Sequence, residues 1–102
     1  MPVKKKVERL SHEENEQVAQ VFQYLVSDVF GGEKYKRYYL TDAHNLVKDH
    51  VDNQLRNSTT MSSNVIRKCQ EVRKDVLRSK NMTKILEYLS EACLLDEEPS
   101  DY

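Results

Sequence analysis

Three histidines and two cysteines are the side chains best suited to metal binding or nucleophilic chemistry in this sequence: His12, His44, His50, Cys69 and Cys93. Two ligands on one helix must lie about three or four residues apart to share a face. His44 and His50 lie six residues apart, and neither cysteine has a nearby CxxC or HxxxH partner. We therefore predict no metal site and no cofactor.

Cysteine catalysis needs a separate argument, because a nucleophile and its base meet in space rather than in sequence. A reactive thiol requires partial exposure and electropositive surroundings. Cys69 has the basic neighbours Arg67 and Lys68, but its place on an apolar stripe predicts burial. Neither Gly31 nor Gly32 belongs to a phosphate-binding pattern. We predict that the chain has no catalytic residues and is not an enzyme.

The stretch EKYKRYYLTD, residues 33–42, interleaves three tyrosines with lysine and arginine. This pattern fits a base-stacking platform for nucleic acid, a protein-binding hot spot, or the start of a helix. A helix extended backwards from Thr41 at about 100° per residue puts Lys36 in the middle of the apolar face, which is unfavourable for an ammonium group. The helix is therefore expected either to begin near residues 37–41, with Thr41 as a candidate cap, or to expose its first turn. The pattern leaves Tyr35 unassigned.

The same helical geometry separates the side chains at the start of this helix. Tyr39 and Leu40 fall on the apolar face and are predicted to join the core. Arg37 and Tyr38 fall away from it, as does Tyr88 on the last helix, so these three are predicted to be exposed. Tyrosine and arginine are enriched at interface hot spots. We therefore predict that Arg37, Tyr38 and Tyr88 contact a partner.

Apolar residues recur at three- and four-residue steps in four segments, which predicts amphipathic helices at about 12–30, 37–56, 63–79 and 82–95. No proline interrupts the chain between residues 3 and 98. Ser11 and Glu14 fit a capping box at the start of the first helix. The glycines at 31 and 32 fit its end, and Asn81 fits a cap for the last helix.

Short polar connections between these segments predict an all-α fold, a small up-and-down bundle of four helices. Residues 11–95 are expected to form a single helical domain. Residues 1–10 are expected to be a flexible basic N-terminus, and residues 96–102 an acidic disordered tail. The sequence leaves open whether the third and fourth helices are separate or one kinked helix.

Charge is unevenly distributed in a chain whose formal net charge is only −1. Residues 11–30 carry four acids and no lysine or arginine, whereas residues 64–80 carry six cations and two acids, a net +4. Opposite charges on two helices favour the packing of those helices against each other more than they stabilise the fold. We therefore predict that the first and third helices are neighbours.

These observations favour a non-enzymatic protein-interaction module, adaptor or small complex subunit that binds protein partners by helix-in-groove or helix–helix contact. Self-association is left open. The alternative is a nucleic-acid-binding domain that uses the stretch 34–39 and a basic face on the third helix: Arg67, Lys68, Arg73, Lys74 and Arg78. The same face would also suit an acidic partner. A net charge of −1 argues against the alternative, because nucleic-acid-binding domains are usually basic.

The sequence shows no apolar run long enough for a secretory signal or a membrane span, so we expect no membrane partner. Two cysteines are too few for a disulfide framework, which favours a reducing compartment. We predict an intracellular protein of the cytoplasm, the nucleus or both. Whether Lys4–Lys6 is an import signal is left open.

Overall fold

The computed structural model describes residues 10–94, and these form a bundle of four α-helices joined by short connections. The helices are α1 (His12–Tyr24), α2 (Leu40–Asn57), α3 (Ser63–Arg78) and α4 (Met82–Cys93). A π-helical turn (Leu25–Val29) continues α1, and a 3-10 turn (Lys34–Arg37) precedes α2. The predicted all-α fold is confirmed. The predictions for residues 1–9 and 95–102, including the Lys4–Lys6 signal, lie outside the described residues.

Side chains cap three helix N-termini, and the sequence predicts two of these caps, Ser11 and Asn81. The Ser11 hydroxyl accepts the Glu14 amide at 3.1 Å, and the Glu14 carboxylate accepts the Ser11 amide at 3.0 Å, which completes the capping box. Ser62 caps α3 by accepting the Val65 amide at 3.2 Å. Asn81 caps α4 in the same way, so α3 and α4 are separate helices.

The end of the first helical segment explains the glycine pair. A π-helical turn places Leu25, Val29 and Phe30 together in the core, and the Phe30 amide donates to the Leu25 carbonyl at 2.9 Å. A Cβ on Gly31 would lie 2.1 Å from the Ser27 carbonyl oxygen, so no other residue fits there without moving the backbone. Gly32 has a φ of 65°, the left-handed region that favours glycine.

Contacts between helix ends define the topology. His44 near the start of α2 reaches the carbonyl of Ser79, just past the end of α3, at 3.0 Å, so these helices are antiparallel. The Ser62 hydroxyl donates to the Glu14 carboxylate at 2.7 Å, which joins the starts of α1 and α3. Together with the short connections, these contacts give the up-and-down order that the sequence predicts.

The buried side chains of all four helices form one core between them, and the most extensive packing is α1 on α4, α2 on α3 and α3 on α4. The fully buried members include Val18, Phe22, Leu25, Val47, Val51, Val65, Cys69, Val76, Ile85 and Leu89. Among the α-helix pairs that make substantial contact, α1 and α2 pack least extensively. No helix of residues 10–94 is both long enough and apolar enough to cross a membrane.

The predicted contact between α1 and α3 is present, but opposite charges do not hold it. Within residues 10–94 the ion pairs of α3 are made elsewhere: Arg73 pairs with Asp52 of α2, and Lys68 pairs with Glu71 of its own helix. Helix α1 and the start of α3 are instead joined by the hydroxyl–carboxylate hydrogen bond between Ser62 and Glu14.

Candidate functional site

The structure reverses the predicted burial of Tyr38 and Tyr39. Tyr38 is half-buried, and its ring meets Phe30 edge to face with a centroid separation of 5.1 Å. Tyr39 is 80 % exposed. The prediction was wrong because it treated both residues as helical, whereas their backbones are extended, with ψ angles of 141° and 153°. Successive side chains of an extended chain point to opposite sides.

The start of α2 differs from the prediction in its cap. Tyr39 occupies the cap position without a side-chain hydrogen bond, and its carbonyl accepts the Ala43 amide at 3.0 Å. Thr41 lies inside the helix and is not the cap. Leu40 is half-buried against the core, as predicted. Arg37 is exposed, as predicted, and makes no ion pair or hydrogen bond within residues 10–94.

Tyr35, which the sequence left unassigned, forms one wall of an apolar groove; the other wall is α4. The groove has a volume of about 410 Å³. Its lining residues are Tyr35, Thr83, Leu86, Glu87, Ser90, Glu91 and Leu94. Tyr35 and Leu86 are half-buried against the core, whereas Leu94 is 53 % exposed.

The spacing along α4 explains why this groove runs beside the core. Ile85, Leu89 and Ala92 recur at three- and four-residue steps and face inward. Leu86, Ser90 and Leu94 follow one another at four-residue steps, so they form a second row that starts about 100° round the helix from Ile85 and turns a further 80° away from it by Leu94. The apolar periodicity of α4 did not single out Leu94, because the groove depends on Tyr35, which lies on another element.

Acidic residues form the outer rim of the apolar groove. Glu87 lies 3.3 Å from the ammonium group of Lys84, one turn back on the same exposed face. Glu91 is exposed and makes no ion pair within the described residues. The groove therefore offers apolar contact at its floor and one uncompensated carboxylate at its rim.

The basic residues of α3 do not share one face, contrary to the prediction. Arg73 turns towards α2: its Nη2 donates to Asp52 Oδ2 at 3.3 Å, and its Nε lies 3.0 Å from Oδ1 without hydrogen-bond alignment. Lys68 lies on another side and pairs with Glu71 at 3.5 Å. Both cations are therefore engaged within the bundle.

The other three predicted cations, Arg67, Lys74 and Arg78, are exposed and make no ion pair within residues 10–94. They are seven and four residues apart. At about 100° per residue they lie within about 40° of one another, so they form a single row on the outer surface of α3. We call this row the basic ridge.

The basic ridge ends at a hollow of about 400 Å³ where α3 meets α4. Arg78 contributes to both features. The other lining residues of this basic hollow are Asp75, Ser79, Lys80, Asn81, Lys84 and Tyr88. Tyr88 is half-buried against the core, so its predicted full exposure was wrong; the position facing away from Leu86 and Leu89 lies against α3, not in solvent.

Two of the histidines act as structural hydrogen-bond donors. His50 Nε2 lies 2.7 Å from the Val21 carbonyl, and its ring stacks on Tyr24 at a centroid distance of 5.3 Å. His44 Nε2 lies 3.0 Å from the Ser79 carbonyl. A carbonyl oxygen only accepts, so Nε2 carries the hydrogen in both. His50 is therefore a satisfied residue at the edge of the core.

Neither cysteine is placed as a nucleophile. Burial raises the pKa of the Cys69 thiol to about 12, although nearby Lys68 acts in the opposite direction. Burial also raises the pKa of Cys93, whose Sγ lies 3.9 Å from the Ala19 carbonyl. Both thiols are therefore protonated at neutral pH. In residues 10–94 no group of three or more His, Cys, Asp or Glu is arranged to hold a metal ion.

Comparisons of this chain with protein-family models, with curated proteins and with solved structures find no match.

Proposed function

We propose that this protein is a non-enzymatic interaction module, an adaptor or small complex subunit, that binds a helical segment of a partner protein in the apolar groove. The observation that carries this proposal is the row of Leu86 and Leu94 facing Tyr35 outside the closed core. An apolar surface with a polar rim is typical of a protein-binding site.

The dimensions of the groove favour a helix as its occupant. From Thr83 to Leu94 the α4 wall covers eleven residue steps, which is about 16 Å at 1.5 Å per residue. This length matches about three turns of a partner helix, which would present apolar anchors at i, i+3 or i+4, and i+7. A lysine or arginine beside those anchors would face Glu91, the unpaired carboxylate at the rim.

The chemistry of the other candidate residues supports a binding role over catalysis. The two thiols are held protonated, and His44 and His50 donate to backbone carbonyls. Arg37 remains a proposed contact, since it lies in the same 3-10 turn as Tyr35 and is free to reach a partner. Tyr38 supports that turn from inside, by its contact with Phe30.

Affinity capture from cell extract tests this proposal with matched variants. Leu94→Asp places a charge in the groove at an exposed position, and Tyr39→Asp places the same charge at an 80 % exposed aromatic that does not line the groove. We expect a set of partners that is lost with Leu94→Asp and kept with Tyr39→Asp. Nuclear magnetic resonance with the partner's binding segment should then shift the amides of Leu86 and Ser90.

Two results would contradict this function. If both variants keep every partner, the groove is not the binding surface. If wild-type protein sediments as a dimer in analytical ultracentrifugation and Leu94→Asp as a monomer, the occupant is a second copy of the chain. The predicted nucleic-acid alternative would draw on surfaces on either side of α4, because Tyr35 lines the groove and the ridge cations lie on α3.

A further inference from the structure

The basic ridge and basic hollow form a continuous line of cations that runs along α3 and reaches α4 at Lys84, beside the acidic rim of the groove. We call the line formed by Arg67, Lys74, Arg78, Lys80 and Lys84 the basic track. The first three cations have no ion-pair partner within residues 10–94, and Lys84 is shared with the exposed Glu87. Unlike Arg73 and Lys68, the ridge cations are not used to hold the bundle together.

The ridge has a defined length and acidic neighbours. Arg67 and Arg78 are eleven residues apart on α3, which is about 16 Å along the helix axis. Glu71 lies beside this row, between Arg67 and Lys74 and about 20–60° round the helix from each ridge cation, where it pairs with Lys68. Asp75 lies on the flank that turns towards α4. At its end, the hollow adds Lys80 and the ring of Tyr88.

This arrangement fits a single row of carboxylates better than a nucleic-acid backbone. A duplex presents two continuous phosphate strands and would bring phosphates close to Glu71 and Asp75, whereas a helix with acids seven and four residues apart can carry a neutral residue opposite Glu71. The formal net charge of −1 also supplies no long-range attraction for a polyanion. A helix with acids seven and four residues apart presents one row with the same spacing as Arg67, Lys74 and Arg78.

We infer that the basic track binds an acidic helix of a protein partner, whose carboxylates pair in register with the three ridge cations and whose end lies in the hollow against Tyr88. This surface is separate from the apolar groove and does not depend on the proposed occupant of that groove. It assigns a role to cations that neither the core nor the groove uses.

A pair of designed peptides tests the inference by fluorescence anisotropy. Both are alanine–glutamine helices of one composition with three glutamates. In the registered peptide the glutamates are seven and four residues apart, as on the ridge; in the scattered peptide they are five residues apart and point around the helix. We expect the registered peptide to bind more tightly by about twofold to fivefold for each pair that the scattered peptide cannot form.

Charge reversal locates the site. Lys74→Glu should weaken the registered peptide by about tenfold, because it removes one attraction and adds one repulsion. Lys48→Glu, an equally exposed lysine on α2, should leave the affinity unchanged. Leu94→Asp should also leave it unchanged, which separates this site from the groove. Binding should weaken as salt is raised, because the ridge pairs are exposed.

Three outcomes would overturn the inference. Equal affinity for the registered and scattered peptides would show that the carboxylates do not pair in register with the ridge cations. Equal losses with Lys74→Glu and Lys48→Glu would show that only net charge matters. Tighter binding of a twelve-base single-stranded oligonucleotide than of the registered peptide, lost with Lys74→Glu, would assign the track to nucleic acid. Circular dichroism of Lys74→Glu confirms that a loss of binding is not a loss of fold.

Discussion

The two flanks of α4 belong to one helix but have opposite chemistry. One flank, with Leu86 and Leu94, faces the 3-10 turn and is apolar with an acidic rim. The other, with Lys84 and Tyr88, faces the end of α3 and is basic. The row of α4 that faces the core determines where both flanks lie, because a helix that buries one row of side chains has a further row on either side of it. The element that packs beside each flank then determines its chemistry.

The neighbours also differ in how they are held. The 3-10 turn beside the groove is fixed by tertiary contacts: Tyr38 lies against Phe30, and the chain enters the turn through the glycine pair. The α3–α4 connection beside the track is fixed by hydrogen bonds, from the Lys84 amide to Asn81 Oδ1 and from His44 Nε2 to the Ser79 carbonyl. Substitutions at each set of contacts should therefore disturb one flank and spare the other.

Gly31→Ala should give the largest loss of stability and should distort only the groove flank. The added Cβ meets the Ser27 carbonyl oxygen at 2.1 Å, and we expect a loss of about 2–3 kcal/mol in the free energy of unfolding, as for overpacked sites. Urea denaturation measures this loss. In amide spectra Tyr35 should shift while Lys80 does not. Gly32→Ala, with open space around it but a φ of 65°, is the matched control and should cost about 1 kcal/mol.

A comparison of Tyr38→Ala with Tyr39→Ala tests whether the Tyr38 ring anchors the turn beside the groove. Loss of the ring that meets Phe30 should lower the free energy of unfolding by about 1–2 kcal/mol and loosen the groove wall. Removing the 80 % exposed ring of Tyr39 should change it by less than about 0.5 kcal/mol. Thermal denaturation compares the two. Equal losses would mean that Tyr38 does not anchor the turn.

Glu14→Gln should give the smallest effect and leave both flanks unchanged. Its hydrogen bond from the Ser11 amide, followed by that from the Ser62 hydroxyl, lowers the pKa of the Glu14 carboxyl below its ordinary value of 4.5. A carboxylate with a lowered folded-state pKa adds stability above its unfolded pKa, and this contribution disappears as pH falls through the folded pKa.

The difference in stability between wild type and Glu14→Gln should therefore be present at neutral pH and shrink below about pH 4.5. Urea denaturation at a series of pH values measures it. Glu13→Gln, which removes a neighbouring carboxylate outside the capping box, is the control and should not reproduce the pH dependence. A constant difference down to pH 2 would show that the capping carboxylate is not the cause.

Local patterns were enough to predict the helices and two of their caps. Ser11 and Asn81 cap helices because their own side chains reach amides three residues ahead, which sequence spacing reveals. The stripes of α1 and α4 are equally local. The segment from Gly32 to Leu40 was not predictable in this way, because its extended residues are held by a ring on another element.

The candidate surfaces were only partly predictable, for the same reason. The sequence identified the cations of α3, but Arg73 turns away from the ridge to meet Asp52, a residue twenty-one positions earlier on α2. Likewise Tyr35 becomes part of a groove only because α4 packs beside its turn. The sequence identified the types of residue involved, but which of them share a surface depended on which helices are neighbours.

The hydrogen bond from His44 to the Ser79 carbonyl matters to anyone who wishes to transplant the basic track. The hairpin of α3 and α4 carries every cation of the track, and it looks like a self-sufficient unit for grafting onto another scaffold. Yet the carbonyl that sets its connection is held by a side chain on α2. A graft must therefore include α2, or supply a donor in its place, to keep Lys80 and Tyr88 on the same hollow.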